Sequence, residues 1–364
     1  MTPAAPSPAP RAAGAAPTTA RGPRALAGAR GALRTPEGAA TAVSLGVLGT
    51  VLLVQLLAPG AVQQWGWLVL AVGLLAGLPH GAVDHLVPAH LLGARAPRLV
   101  LVVAAYAATA VAAWAVFRSV PAVALSVFVV LSVLHFGAGE VAFDHERTQA
   151  LATAPQPQGH SSPLRDPLAV LATGGAALAL PVLREPATTA PLIALLVPGT
   201  SGLLPPWLTT TAITVVLGAV GATLAHRLLQ RRWLAALEVA LLTAVGLLVA
   251  PLAAFGAYFG AWHAVRHIGR MLTEDPANAT DLAHGHLLRP LARFALTAAA
   301  PTAVSLTALA GLWALADGWQ GFVTANLALL AGLTVPHVLV VAWSDRHQNR
   351  TRLPAHAART TPRS

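Results

Sequence analysis

The 364-residue chain contains no cysteine and no lysine, so all 23 of its basic residues are arginines. Without cysteine, the protein can form neither a disulfide nor a thiolate-ligated metal or iron–sulfur site. Without lysine, a retinal Schiff base cannot form, which excludes a rhodopsin-type photoreceptor or pump. Charge is also scarce, since charged residues make up only 10% of the chain. Soluble domains carry about 25%, so this composition argues against an ordinary solvated surface.

Apolar sequence takes the place of charge. Hydrophobic residues make up 55% of the chain, and its mean hydropathy is +0.65. Several runs have almost no ionisable residue and approach the roughly 20 residues that a spanning helix needs. The alternating polarity of a β-barrel strand is not seen in them. The predicted fold class is therefore all-α, a polytopic integral membrane helical bundle of about eight to ten transmembrane helices.

Composition divides the chain into three regions. Residues 1–38 are rich in Ala, Pro and Arg without an apolar period, which predicts a disordered cytoplasmic tail. Residues 39–345 are expected to form a transmembrane catalytic domain, and residues 346–364 a basic C-terminal tail. The expected spans within the middle region are residues 40–59, 65–90, 98–117, 119–138, 167–183, 207–226, 233–250, 251–270, 293–316 and 321–343.

The arginines indicate topology, because most lie in tails and connections and not on one nucleic-acid-binding face. The clusters in or beside the connections include Arg95, Arg98, Arg227, Arg231, Arg232, Arg266, Arg270, Arg289 and Arg293. Placing them in the cytoplasm requires an even number of spans between clusters, so residues 190–204 are interpreted as a re-entrant or interfacial piece. Both termini are then cytoplasmic. Alternatively, residues 233–270 form one helix kinked at Pro251, which changes the parity.

Four histidines lie inside or at the ends of expected spans: His80, His135, His263 and His267. Ionisable residues in a membrane are costly and usually mark a pathway or a site. Their three helices run in one direction, and each histidine lies in the cytoplasmic half, so all four can share one depth. His263 and His267 are four residues apart and therefore project from one helix face. A cluster of neutral imidazoles suits iron, copper or zinc.

Further polar residues are candidates for supporting these histidines. Asp84 and Glu140 are carboxylates that can fix the tautomer of a ligating imidazole. Tyr258 precedes the histidine pair, and His337 lies in the cytoplasmic half of the last span, either as a fifth member of the site or as a packing residue. His85 points about 140° away from His80 on an ideal helix, so it ranks lower.

Glycines recur every fourth residue near the histidines. Gly73, Gly77 and Gly81 form one stripe, and Gly256 and Gly260 form another. Small residues at this spacing let helix backbones approach closely in a membrane. The stripes predict close packing and, taken alone, no function.

The residues alone leave other functions open. A haem or electron-transfer protein would use histidine pairs as axial ligands, and a transporter or proton channel would use them as relay groups. A helper that delivers retinal to a rhodopsin is a third alternative. A lone membrane histidine is more often a packing group than a ligand. Arg266 and Arg270 would also suit an amphipathic, interfacial helix end around the His263–His267 pair.

Four segments, "GLPHGAVDHL", "LSVLHFGAGE", "YFGAWHAVRH" and "LTVPHVLV", together resemble the Brp/Blh family of bacterial membrane-bound β-carotene 15,15′-dioxygenases. The resemblance covers residues 70–340 and implies a multi-pass enzyme of the bacterial plasma membrane that uses O₂ to cleave the central double bond of β-carotene into two all-trans-retinal molecules. It implies Fe(2+), and no catalytic residues beyond its ligands at His80, His135, His263 and His267. A functional link to a retinal-binding rhodopsin also follows. The family's HSxRH segment reads HAVRH here, with Ala264 in place of a small hydroxyl residue.

Overall fold

The computed structural model describes residues 29–84, 96–151 and 166–351, and every long element within these ranges is a helix. In chain order the helices are α1 (Ala29–Ala32), α2 (Pro36–Leu57), α3 (Pro59–Ala82), α4 (Ala96–Ser119), α5 (Pro121–Leu151), α6 (Pro167–Arg184), α7 (Pro186–Leu196), α8 (Pro206–Leu229), α9 (Trp233–Leu248), α10 (residues 251–274), α11 (Ala279–Ala283), α12 (Leu288–Leu315) and α13 (Gly318–Thr351). The predicted all-α class is confirmed.

Eight of the described helices are long and apolar enough to cross a membrane, namely α2, α3, α4, α5, α6, α8, α12 and α13. The helix α9 is apolar but has only 16 residues, and α10 contains a π turn. These two occupy the places of the remaining expected spans, residues 233–250 and 251–270. They are separate helices, because Val249 and Ala250 have extended backbones, with ψ of 141° and 133°, and Pro251 begins α10.

The segment expected to be re-entrant contains the short helix α7 and a turn-rich connection to α8. With 11 residues, α7 is about 16 Å long, half the thickness of a hydrocarbon core of about 30 Å. It is too short to cross. The hydroxyl of Thr324 donates a hydrogen bond to the carbonyl of Leu195 at 3.4 Å, which ties the end of α7 to α13.

Both predicted domain boundaries fall inside helices. Helix α2 begins at Pro36, two residues before the expected boundary at residue 38, and Thr35 caps it by accepting a hydrogen bond from the Gly38 amide at 3.1 Å. At the other end, α13 continues past residue 345 to Thr351. Residues 1–28 and 352–364 lie outside the described residues.

Helix α6 lies at the centre of the bundle. Of its apolar stretch 72% is buried, against 6% for α12 at the periphery. The middle of α6 consists of small residues, and a Cβ on Gly174 would lie 1.9 Å from the carbonyl oxygen of Val133 in α5. The outer helices expose large apolar side chains such as Val100 and Leu296, as expected for surfaces that face lipid.

Glycines mediate the contact between α3 and α10. A Cβ on Gly73 would lie 2.0 Å from the carbonyl oxygen of Gly256, and a Cβ on Gly260 would lie 2.7 Å from the Cα of Gly73. Gly77 meets a phenyl ring of α10 at similarly short range. The predicted close packing is confirmed for these four glycines. Gly81 faces open space instead.

The substitution Gly73→Ala is expected to destabilise the protein, because the new methyl group would overlap a backbone oxygen that has no rotamer to change. Overpacking typically costs about 1–3 kcal/mol, and we expect the upper part of that range. Gly218→Ala in α8 is the control, since nothing lies within 4 Å of a Cβ there. Thermal unfolding of both purified variants in detergent measures the difference. Equal melting temperatures would contradict the packing described.

Candidate metal centre

Five histidines meet inside the bundle: His80 of α3, His135 of α5, His263 and His267 of α10, and His337 of α13. Their ring centroids are close, for example 5.0 Å between His135 and His337 and 5.3 Å between His80 and His263. Within one group, His80, His263 and His337 each offer a ring nitrogen that lies within 4.8 Å of the others. The structure thus brings together the four histidines singled out in the sequence and adds His337 to them.

Several of these rings carry an unpaired nitrogen. The Nε2 atoms of His135, His267 and His337 are buried and have no hydrogen-bond partner. Each such buried, unsatisfied group costs about 1–3 kcal/mol, which makes three of them in one cluster informative. A metal ion bound by neutral imidazoles would satisfy all three at once. The residues present therefore fit a metal with an all-nitrogen donor set.

The helices that carry these histidines are irregular beside them. Pro79 and Pro336 directly precede His80 and His337 inside α3 and α13. A proline inside a helix removes a backbone hydrogen bond and bends the helix. In α10, a π turn spans Tyr258–His263, and such turns often occur at functional sites. Each irregularity thus lies directly before or at a histidine of the cluster.

Asp84 supports His337 and not His80. Its two carboxylate oxygens lie 2.9 and 2.8 Å from Nδ1 of His337. The Nδ1 of His80 instead bonds to the carbonyl of Gly77 in its own helix. A further residue, Tyr106 of α4, donates its hydroxyl hydrogen bond to Asp84 at 2.8 Å. Asp84 therefore orients His337, not His80.

Glu140 and Tyr258 lie beside the histidines without a hydrogen bond to any of them. The carboxylate of Glu140 accepts hydrogen bonds from the indole of Trp262 at 2.8 Å and from Arg266 at 2.7 Å. The ring of Tyr258 stacks with that of His263, at a centroid distance of 6.2 Å, and its hydroxyl is buried and unpaired. Glu140 therefore positions α10 as a whole and does not fix the tautomer of His135.

A buried ionic network lies next to the histidine cluster. Arg147 bonds to both oxygens of Glu238, at 2.5 and 2.7 Å. Arg266 reaches the same Glu238 at 2.6 Å and also Glu140 at 2.7 Å. All four residues are buried. Two guanidinium groups and two carboxylates compensate each other, and they tie α5, α9 and α10 together.

Three arginines that the sequence placed in or beside solvated connections are buried, which corrects that interpretation. Arg227, Arg266 and Arg270 are 7%, 3% and 6% exposed. They lie within helices because carboxylates of neighbouring helices pair with them, as Arg270 does with Glu146 and Asp345, both at 2.8 Å. The His263–His267 pair is therefore not the interfacial end of an amphipathic helix.

The substitution Glu238→Gln is expected to destabilise the protein strongly, since it leaves two buried guanidinium groups with too little negative charge. Breaking a buried ion pair in this way costs about 3–5 kcal/mol. Glu185→Gln is the control, because Glu185 and Arg184 pair at 3.4 Å with 30% and 25% of their side chains exposed, and such pairs contribute about 0–1 kcal/mol. Denaturant titrations in detergent give both free energies of unfolding. A smaller loss for Glu238→Gln than for the control would refute this account of the network.

The sequence alone does not single out Tyr106 or Glu238, because one tyrosine and one glutamate in apolar helices have no distinguishing spacing. For His337 there is a signal, since it follows a proline as His80 does, and these are the two Pro-His pairs in the chain. His85 lies outside the described residues.

Comparison with known proteins covers the same part of the chain. A family model described as "Beta-carotene 15,15'-dioxygenase" matches residues 70–345, which include all five clustered histidines. The chain is also 33% identical over 309 residues to the "Probable beta-carotene 15,15'-dioxygenase Blh" of Halobacterium salinarum. That alignment covers 77% of this chain and 84% of the relative. No solved structure matches the chain.

Proposed function

Because the chain belongs to the β-carotene 15,15′-dioxygenase family, we propose that it cleaves the central double bond of β-carotene with O₂ into two molecules of all-trans-retinal. We further propose Fe(2+) as the cofactor, with His80, His135, His263 and His267 as ligands. The observation that carries the proposal is the mutual packing of imidazole rings from three separate helices, since His80 contacts His263 and His267, and His135 contacts His263. Asp84, Glu140, Tyr258 and His337 lie around these four histidines.

The reaction balances without an external reductant. One carbon–carbon double bond and the bond of O₂ are broken, and two aldehyde carbonyl groups form. Neutral imidazoles leave Fe(2+) its full charge, and the metal would supply the activation of O₂. The protein's contribution is to bind the polyene, orient its central bond toward the histidines and exclude water.

Aromatic side chains of this chain line the histidines and suit a conjugated substrate. The ring of Phe136 lies 4.7 Å from that of His263, and the ring of Phe259 lies 5.5 Å from that of His80, measured between centroids. Flat apolar surfaces of this kind hold a polyene by burial and keep water from the site. β-Carotene dissolves in the membrane lipids, so it can enter between helices without crossing water.

The arrangement of charges supports the proposed topology. Contacts of Arg270 with Glu146 and Asp345 place the ends of α5, α10 and α13 at one end of the bundle. Asp144 near the end of α5 pairs with Arg227 at the end of α8. We assign this end, which also carries the exposed Arg231, Arg289 and Arg293, to the cytoplasm, with both termini on that side of a bacterial plasma membrane. Since the chain has no lysine, retinal destined to become a chromophore must pass to a separate rhodopsin.

The packing of the rings disfavours haem. A haem holds its two axial imidazoles on opposite faces of the porphyrin plane, whereas His80 packs directly against three other histidine rings at centroid distances of 5.3–5.5 Å. A proton relay would need no metal, and the experiment below distinguishes it.

Expression in a β-carotene-accumulating bacterial host is expected to bleach the cells and yield retinal, measured by extraction and chromatography. Alanine at His80, His135, His263 or His267 should lower retinal formation by more than about 100-fold. Loss of a residue that only supports a ligand typically lowers activity about 10–100-fold. His226→Ala is the control, because this exposed histidine bonds only to Gln230 of its own helix end. Unmutated protein that leaves β-carotene intact would overturn the proposal. Activity that survives chelation, with no stoichiometric metal, would overturn the iron centre.

A further inference from the structure

We propose that His337 is a metal ligand in its own right, a fifth imidazole held toward the ion by Asp84 and Tyr106, which act as positioning residues. This inference rests on the proposed function, because it concerns the same metal site. It goes beyond it by adding a ligand and a chain of hydrogen bonds that starts on α4, outside the helices that carry the other histidines.

The hydrogen bond with Asp84 determines which nitrogen of His337 is free. Both oxygens of the carboxylate lie within 2.9 Å of Nδ1, so Nδ1 carries the hydrogen and donates it. The lone pair then resides on Nε2, which is buried and has no partner. A carboxylate on one ring nitrogen and a metal on the other is the usual arrangement around ligating histidines.

The position of the ring distinguishes a ligand from a supporting residue. The ring centroid of His337 lies 5.3, 5.0 and 5.7 Å from those of His80, His135 and His267. One of its nitrogens also belongs to the group within 4.8 Å that includes His80 and His263. A supporting residue would lie behind one ligand and bond to its far nitrogen. His337 contacts the rings of several histidines and has Asp84 as its hydrogen-bond partner.

Tyr106 of α4 also holds this carboxylate. Its hydroxyl donates to Oδ2 of Asp84 at 2.8 Å and lies 3.4 Å from the carbonyl of Leu333 in α13. The helices α4 and α13 approach closely enough for this contact because of Gly332, where a Cβ would lie 3.1 Å from the carbonyl oxygen of Ala110. Asp84 is thus held between two helices, and its orientation does not depend on α3 alone.

Charge gives an independent reason to expect a cation at these rings. Asp84 is only 2% exposed. Among the described residues its ion-pair partner is His337, and no arginine pairs with it. The nearby Arg270 is already paired with Glu146 and Asp345. A buried carboxylate needs compensation, which a proton on His337 or a divalent ion bound to its Nε2 would provide, and the metal titrations of the His337 and Asp84 variants separate the two.

Cobalt serves as the probe, because the visible absorption of Co(2+) weakens markedly as its coordination number rises from four to five or six. The variants are His337→Ala, Asp84→Asn and Tyr106→Phe, with Thr109→Val as the matched control on α4, where the hydroxyl is exposed and bonds within its own helix. Each purified protein is titrated with Co(2+) and, anaerobically, with Fe(2+) in competition with a chelator. Melting temperatures are recorded in parallel.

We expect His337→Ala to strengthen the Co(2+) absorption toward that of a four-coordinate ion and to weaken metal binding. Asp84→Asn should keep the spectrum and lower the affinity about 10–100-fold, and Tyr106→Phe should lower it less. A folded His337→Ala variant with unchanged spectrum and affinity would show that His337 only packs against the site. If this variant does not fold, unchanged affinities of Asp84→Asn and Tyr106→Phe would overturn the inference equally.

Retinal formation by the unmutated protein separates this inference from the proposed function. Protein that binds Co(2+) with the expected spectra but makes no retinal would refute the function and keep His337 as a ligand. If the unmutated protein makes retinal but His337→Ala and Asp84→Asn leave its metal affinity and Co(2+) spectrum unchanged, only the inference about His337 is refuted. Unmutated protein that binds neither metal would refute both.

Discussion

Polar groups buried in an apolar bundle must satisfy one another, and this constraint shapes the whole interior of the protein. An imidazole or a guanidinium cannot turn to water there, so a place for it exists only where other helices bring complementary groups. The chain meets the requirement in two neighbouring regions. The ionic network balances Arg147 and Arg266 against Glu140 and Glu238. The histidine cluster holds rings with unpaired nitrogens, which a shared cation would satisfy.

The backbone determines how closely these groups can meet. The glycines of α3 and α10 allow the two helices to touch at backbone distance, which places His80 beside His263. Larger residues at Gly73 or Gly256 would move both histidines apart by the thickness of a side chain. The prolines before His80 and His337 and the π turn that ends at His263 interrupt the regular helix beside these rings. Close packing therefore sets the distance between the helices, and irregular backbone occurs where the histidines are attached.

Hydropathy and residue spacing predict much of this arrangement. Apolar runs predict the helices, including the split at Pro251, and the depth of the histidines predicts that helices α3, α5 and α10 converge. Periodicity does not predict where a side chain points after a proline or a π turn, which is why the place of His337 stayed open. It also cannot identify partners distant in sequence. Proximity along the chain predicts Glu140 as a partner of His135, whereas Arg266, 126 residues away, binds it.

Helix α10 shows how one helix can serve both polar regions. Successive residues on a helix point about 100° apart, so Trp262 and Arg266 share one face and His263 and His267 share the adjacent one. The first face holds the ionic network, and the second faces the cluster. Ala264, which replaces the small hydroxyl residue of the related motif, is fully buried in this helix. A hydroxyl there could bond to a carbonyl of its own helix, so its loss leaves no unpaired group, and both faces keep their partners. Any change that rotates α10 would disturb both regions at once, which couples the stability of the network to the geometry of the histidines.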